Sequence, residues 1–273
     1  MLDKPELMGK ASTREEGSIF FSDVKGFTSI AEKMSAEELT AQLNEYFAAL
    51  GHKLRDTRGY VDKFIGDGIM AFWGKPFVAS DDFAQRSVEA ALACQQAGAL
   101  LRQQWQQAGK PLFYQRIGIA TGQVVVGNIG TETKKNFTII GDSVNLASRL
   151  EGANKVYGTE ILVDARTAEL AGSGFAFREI DQIRVVGKTE PVRIFEPIVP
   201  TDQPARAESM HLYAQALQLY RKGEFAPALD QLAQLLVLAP EDGPAQWLSR
   251  RCQELLSAPP SARWAPVTDA TSK

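Results

Sequence analysis

The sequence predicts an α/β (α+β) domain on a mixed sheet, followed by a small α-helical segment. Three observations carry that expectation. From residue 17 onward, apolar runs of strand length alternate with stretches of helical period, in the order strand, helix, hairpin, helix, hairpin. Two of the apolar runs flank Gly66-Asp67-Gly68, an Asp-Gly turn. Pro197, Pro200 and Pro204 then interrupt the pattern, and beyond them the spacing is helical. The order points to helices on one face of the sheet and away from a doubly wound parallel sheet.

The elements follow in chain order. Ser18-Ile19-Phe20-Phe21-Ser22-Asp23 reads as a buried strand ending in a polar residue. Ser35-Ala36-Glu37-Glu38 has the form of a capping box and opens a long helix. Leu39, Leu43, Tyr46, Phe47 and Leu50 give it an apolar face, and Gly59 punctuates its end. Residues 60–65 and 69–73 form the predicted hairpin. Ser80-Asp81-Asp82 supplies an N-cap for a helix through Gln107. Residues 116–121 and 123–129 read as a second pair of strands with Gly122 between them. A short strand at 136–140 precedes a helix at 143–150, and further short strands fit 160–163, 175–180 and 192–195.

Beyond the prolines, 208–220, 225–238 and 244–256 read as three short helices. Leu212, Ala216, Leu219, Ala228, Leu232 and Pro240 fall at spacings that resemble one tetratricopeptide repeat; a plain helical hairpin gives the same spacing. A single such unit cannot bury its apolar face alone, so these helices are expected to pack on the preceding domain or on a partner. Residues 258–273 are expected to be a disordered tail.

Composition narrows the possibilities. The 273 residues are 44% hydrophobic and 23% charged, as in ordinary globular proteins. A net charge of -3 does not favour a nucleic-acid groove. Cys94 and Cys252 suggest no disulfide framework and fit a reducing compartment. There is no apolar run long enough to span a bilayer, and residues 1–16 lack the apolar core of a signal peptide.

Two carboxylates stand where chemistry can use them. Asp23 ends the first strand and Asp67 occupies the hairpin tip. If the hairpin lies beside the first strand, both emerge at one end of the sheet. A hard cation such as Mg²⁺ takes one or two carboxylates together with phosphate oxygens and water. An Asp-Gly turn is also commonly just a turn, and a strand-end Asp just a cap. Spacing alone does not choose between these readings.

Longer motifs do. Phe21-Ser22-Asp23-Val24-Lys25-Gly26-Phe27-Thr28 resembles the opening motif of the class III nucleotidyl cyclases. Lys63-Phe64-Ile65-Gly66-Asp67-Gly68 resembles their second motif. Arg116-Ile117-Gly118-Ile119-Ala120-Thr121-Gly122, with Gly127-Asn128-Ile129-Gly130, resembles the third. The fourth corresponds to Thr138-Ile139-Ile140-Gly141-Asp142-Ser143-Val144-Asn145-Leu146-Ala147-Ser148-Arg149-Leu150. The resemblance covers residues 17–198, which then form the catalytic domain between linkers at 1–16 and 199–207.

The resemblance implies a ferredoxin-like βαββαβ core and a head-to-tail homodimer with active sites at its interface. Asp23 and Asp67, with Val24 beside them, would hold two Mg²⁺ or Mn²⁺ ions from one subunit. Lys63 and Thr138 of the other would read the adenine of ATP, Asn145 would orient the ribose, and Arg149 would meet charge on the reacting phosphate. Lys188, in the looser Val186-Gly187-Lys188-Thr189, resembles a phosphate-binding lysine. The residue chemistry agrees. Asn145 and Arg149 are spaced to share a helix face, and guanidinium suits phosphate. Without the resemblance, Arg149 reads equally as a salt-bridge partner of Glu151 or Asp142. Lys63, alternating with Val61 and Ile65 along one strand face, reads as a charge on an exposed edge.

A lysine can only donate, which suits a ring-nitrogen acceptor, whereas a threonine hydroxyl can accept from an exocyclic amino group. The Lys63–Thr138 pair therefore points to adenine, and to cyclic AMP as product. Because a hydroxyl also donates, guanylate cyclase or dual-specificity activity is the alternative. The threonine form resembles a subset that often responds to bicarbonate, a candidate activator. Family catalytic domains usually follow a sensor or membrane segment, so the chain is expected to be part of a larger cyclase and to work in the cytoplasm, free or as the cytoplasmic part of a membrane protein.

Overall fold

Strand β1 (Thr13–Val24) is the axis of the sheet. It pairs antiparallel with β3 (Gly68–Gly74) on one side and with β4 (Gln115–Gly130) on the other. The computed structural model describes residues 11–79, 81–131, 133, 135–185, 190–259 and 264–270. After β1 come the short helix α1 (Phe27–Ala31) and the long helix α2 (Ala36–Asp56). The predicted capping box starts α2: Ser35 Oγ accepts the Glu38 N–H at 3.2 Å, and Glu38 Oε2 accepts the Ser35 N–H at 3.0 Å. The hairpin of β2 (Tyr60–Ile65) and β3 follows, then α3 (Phe83–Gln107) and β4. This is the expected βαββαβ order. The chain continues through β5 (Lys135–Ile140), α4 (Asp142–Tyr157), β6 (Ile161–Asp164), α5 (Ala165–Ala171), β7 (Ala176–Val185) and β8 (Val192–Ile198). Strands run in the order β2-β3-β1-β4-β6-β8-β7, with β5 also on β4; β4 and β6 are parallel and their other neighbours antiparallel.

Helices cover both faces of the sheet, not one as expected. Phe20, Ala71, Trp73, Ile117 and Val163 face α2, α3 and α5, burying Tyr46, Leu50, Leu54 and Val88. Ile19, Phe72, Ala120 and Leu162 face α4, burying Leu146, Ala147, Leu150 and Tyr157. The cause is written in β3 and β6, which are buried at every position. An unbroken apolar strand such as Ile69-Met70-Ala71-Phe72-Trp73 is one that has no wet face. Two glycines let α4 approach. A Cβ at Gly118 would lie 2.2 Å from the Ala147 carbonyl oxygen and from the Glu151 nitrogen.

The second is Gly122, and it overturns the predicted break. Residues 115–130 form one strand, because Gly122 is a close-approach glycine and not a turn: a Cβ there would sit 2.3 Å from Ser143 Oγ. The hairpin is made by β4 and β5 instead. It curls over the second face, since Phe137 meets Tyr60 of β2 edge-on at 6.4 Å between ring centroids. Helix α4 also runs past its expected end to Gly158, whose φ of 69° makes a left-handed cap.

The C-terminal helices α6 (Gln203–Lys222), α7 (Phe225–Leu238) and α8 (Gly243–Ser257) share a core of Tyr213, Ala216, Tyr220, Leu232, Leu248 and Cys252. They pack on the preceding domain, as a unit too small to stand alone must. Tyr213 Oη donates to the Ile180 carbonyl at 2.8 Å. Arg178, only 3% exposed, pairs with Glu196 at 2.7 Å and with Asp242 at 2.6 Å. Trp247 packs on Tyr157 of α4, centroids 4.7 Å apart. The expected disorder of 258–273 is corrected for residues 264–270. Trp264 lies edge-on to Tyr220 and Phe225, each at 5.3 Å, and β9 (Thr268–Ala270) adds a parallel strand to β7. A single aromatic anchor in a polar tail leaves no periodic trace in the sequence.

Candidate functional site

The hairpin turn brings the two carboxylates together. Gly66 takes φ 61°, and Gly68 lies so close to β1 that a Cβ would be 2.4 Å from the Ser22 carbonyl oxygen. Asp67 is thereby set against the end of β1, where its Oδ2 accepts the Val24 N–H at 2.9 Å. Asp23 stands beside it and receives Arg116 Nη2 at 3.0 Å. Arg116 Nε in turn faces Glu151 Oε1 of α4 at 3.2 Å. Partial burial, then the negative charge of Asp67, raise the Asp23 carboxyl above its ordinary pKa, with Arg116 opposing. Burial, then Asp23, push Glu151 up to about 7.

Asp23 and Glu151 thus share one guanidinium while Asp67 stands beside Asp23, and positive charge is in deficit. Among the described residues no three His, Cys, Asp or Glu side chains gather into a metal cage. A carboxylate pair completed by ligand oxygens is the donor set a hard divalent cation takes beside a phosphate, so the residues fit the implied ions. Sequence reasoning missed Arg116 and Glu151 as members of this cluster. The signal was Arg116 itself, a cation opening an otherwise apolar central strand.

A second cluster forms around Lys63 and Thr138. Lys63 Nζ donates to Thr138 Oγ1 at 3.1 Å. Thr138 Oγ1 donates to Asp62 Oδ2 at 2.8 Å, and Lys63 Nζ lies 3.1 Å from that same oxygen. The expected alternation of Lys63 with Val61 and Ile65 does not hold. The β2–β3 register shifts between Val61 and Lys63, a bulge that inserts one residue and re-aims those after it. Val61 packs in the α2 core and Phe64 lies tilted against Phe47 of α2, centroids 4.4 Å apart, so Asp62 and Lys63 turn together to the opposite face, toward β5. Lys63 is therefore not a bare edge charge.

Asn145 and Arg149 sit on α4, on the side away from its buried Leu146, Ala147 and Leu150. Neither salt bridge considered for Arg149 forms: among the described residues it makes none, and Glu151 pairs with Arg116 instead. Lys188 lies outside the described residues. Within one chain, then, the Asp23–Asp67 cluster and the Lys63–Thr138 cluster are separate, with no hydrogen bond or ion pair joining them among the described residues.

The adenylate and guanylate cyclase catalytic domain profile matches residues 10–195, and the chain belongs to that family. It is 34% identical over 190 residues to Adenylate cyclase 1 of Rhizobium meliloti (strain 1021), an alignment covering 70% of this chain and 28% of that protein. The chain thus spans under a third of that relative's length. The crystal structure of the adenylyl cyclase CyaB from P. aeruginosa superposes with a TM-score of 0.65 at 37% identity, covering 70% of this chain and 97% of that one. The guanylyl cyclase Cya2 gives a TM-score of 0.62 at 33% identity, covering 70% and 94%.

Proposed function

We propose that the chain is an adenylate cyclase that converts ATP to 3′,5′-cyclic AMP and pyrophosphate at sites shared by two head-to-tail copies. One observation carries the reading. Each chain gathers a cation-seeking carboxylate pair in one place and a purine-matching Lys63–Thr138 pair in another, so a second copy is needed to bring them to one nucleotide.

In this reading Asp23 and Asp67 hold the triphosphate end of the site, and Val24 holds Asp67 in place through its N–H. When bound there, two Mg²⁺ or Mn²⁺ ions supply positive charge against the triphosphate and acidify the ribose 3′-hydroxyl. The 3′-oxygen forms its bond to the α-phosphorus as the bond to the leaving pyrophosphate breaks, and the proton leaves to water or substrate phosphate. The partner copy's α4 presents the amide of Asn145 to the ribose. It presents the guanidinium of Arg149, which makes no ion pair among the described residues, to the phosphate. Lys63 donates to adenine N1 and Thr138 accepts from the adenine amino group. Lys188 is proposed as a further phosphate contact. The protein's contribution is placement and fixed charge.

Guanylate cyclase activity is the second reading, favoured by the Thr138 hydroxyl, which is able to donate, and by the likeness to Cya2. The test is turnover of ATP and of GTP by the purified chain with Mg²⁺ or Mn²⁺, with and without bicarbonate. Cyclic AMP as the main product supports the proposal, cyclic GMP as the main product replaces it, and neither product refutes both. A rise with bicarbonate identifies it as an activator. No helix among the described residues is long and apolar enough to cross a membrane. Two buried free cysteines and a nucleotide substrate support a cytoplasmic location.

A further inference from the structure

We infer that Asp62 is a specificity-positioning residue, which fixes the Thr138 hydroxyl as an acceptor and so selects adenine over guanine; this rests on the adenylate cyclase reading above. A hydroxyl has one proton and two lone pairs. The Thr138 proton goes to Asp62 Oδ2, 2.8 Å away, because a carboxylate oxygen offers only lone pairs. One Thr138 lone pair takes Lys63 Nζ at 3.1 Å. What remains to face a base is a lone pair. Lys63 spends one N–H on Thr138 and points another at Asp62 Oδ2 at 3.1 Å, leaving one to donate.

The pair therefore presents one donor and one acceptor in fixed order. Adenine offers a ring acceptor at N1 and an amino donor at C6, which matches. Guanine offers a donor at N1 and a carbonyl acceptor at C6, which sets donor against donor and lone pair against lone pair. A threonine alone would tolerate either base by rotating its proton. Asp62 removes that freedom.

Two further features point to a role in the pocket. The Asp62 side chain is 2% exposed, and its Oδ1 is buried and accepts no hydrogen bond among the described residues. A half-satisfied buried carboxylate is an expensive way to hold a strand. The β2 bulge is also what turns Asp62 to the same side as Lys63. Without the extra residue, neighbouring side chains on this strand would point to opposite faces.

The experiment compares kcat/KM for ATP and for GTP in the wild-type chain and in Asp62→Ala, Asp62→Asn and Asp62→Ser, each alone and with Thr138→Ala. The same ATP-to-GTP ratio is read at equilibrium by displacing a methylanthraniloyl-labelled ATP from the chain with Mn²⁺ present. Asp62→Ala frees the Thr138 proton and should lower the ratio by on the order of tenfold, the worth of one hydrogen bond's polarity. Asp62→Ser should do likewise, which covers the case that the alanine variant does not fold. Asp62→Asn should keep the ratio within about threefold, because Lys63 turns the amide oxygen, not its NH₂, toward itself and Thr138. In the Thr138→Ala background Asp62→Ala should change the ratio by less than about twofold, since a device acting through Thr138 has nothing left to act on.

Equal loss of kcat/KM for both nucleotides in Asp62→Ala, or an undiminished shift in the Thr138→Ala background, overturns the inference and leaves the cyclase reading intact. Absence of turnover by the wild-type chain overturns the cyclase reading, and the displacement ratios still decide the role of Asp62.

Discussion

Mixing two inactive variants tests the shared site most directly. Asp23→Ala removes a carboxylate from the cation-seeking cluster, and Arg149→Ala removes a guanidinium of α4 with which Asp23 makes no ion pair in its own chain. In the proposed two-fold dimer each site takes its acidic half from one copy and its α4 from the other. A mixed dimer therefore has one site with both defects and one with neither. When equal amounts of the two variants are unfolded or dissociated together and reassociated at random, about half of the dimers are mixed. With one intact site of two in each, the mixture should recover about a quarter of wild-type turnover. Either variant alone should stay orders of magnitude lower, each 1.36 kcal/mol of lost stabilisation being about tenfold in rate. The assay is cyclic AMP production at fixed total protein, with the wild-type chain put through the same cycle. A mixture no more active than its parents would refute interface catalysis. Activity already present in the Asp23→Ala parent would refute the role of Asp23.

Other consequences follow from the same contacts. Asp67→Asn should cost on the order of a hundredfold or more in turnover. It retains an oxygen for the Val24 N–H and relieves repulsion with Asp23, so metal-free thermal stability should not fall; a marked fall in Tm would show that Asp67 is mainly structural. Arg178→Met strands the buried Asp242 without its cation and leaves Glu196 only Arg206 at 3.2 Å, so it should destabilise the chain by about 3–5 kcal/mol, read from urea midpoints at constant m; a loss under about 1 kcal/mol would contradict the assigned burial. Glu151 titrates near 7 when folded and near 4.5 when unfolded, so the folded chain holds more protons between those values. Stability should decline as pH rises through that window and level off above it, and Glu151→Gln should flatten the decline in Tm. An unchanged slope would place the titration elsewhere.

Much of this molecule could be read from its sequence, for reasons that differ by residue. Ser35 and Glu38 act within four residues of each other, so their capping box is visible locally. The Asp67 turn is equally local, and Asp23 joins it once the hairpin lies beside the first strand, as the β1–β3 pairing shows. What escaped depends on long-range geometry. Gly122 has the look of a turn, but the residue that demands it, Ser143, lies on another element. The bulge at Asp62 defeats period-two reasoning one residue before Lys63, where it matters most. Arg116 joins Asp23 to Glu151 across three elements, and no spacing rule connects positions so far apart. Covering of both sheet faces was the exception: the unbroken apolar run of β3 signalled it.

Gly118 sets the height of the helix that carries Asn145 and Arg149. The backbone of α4 rests on bare β4, at a spot where even a methyl group would collide with the Ala147 carbonyl and the Glu151 nitrogen. Adding that one carbon would push α4 off the strand and shift Asn145 and Arg149 together, away from the nucleotide that the proposed mechanism has them meet. One missing methyl on a strand thus acts as the shim that sets the reach of an arginine on the layer above.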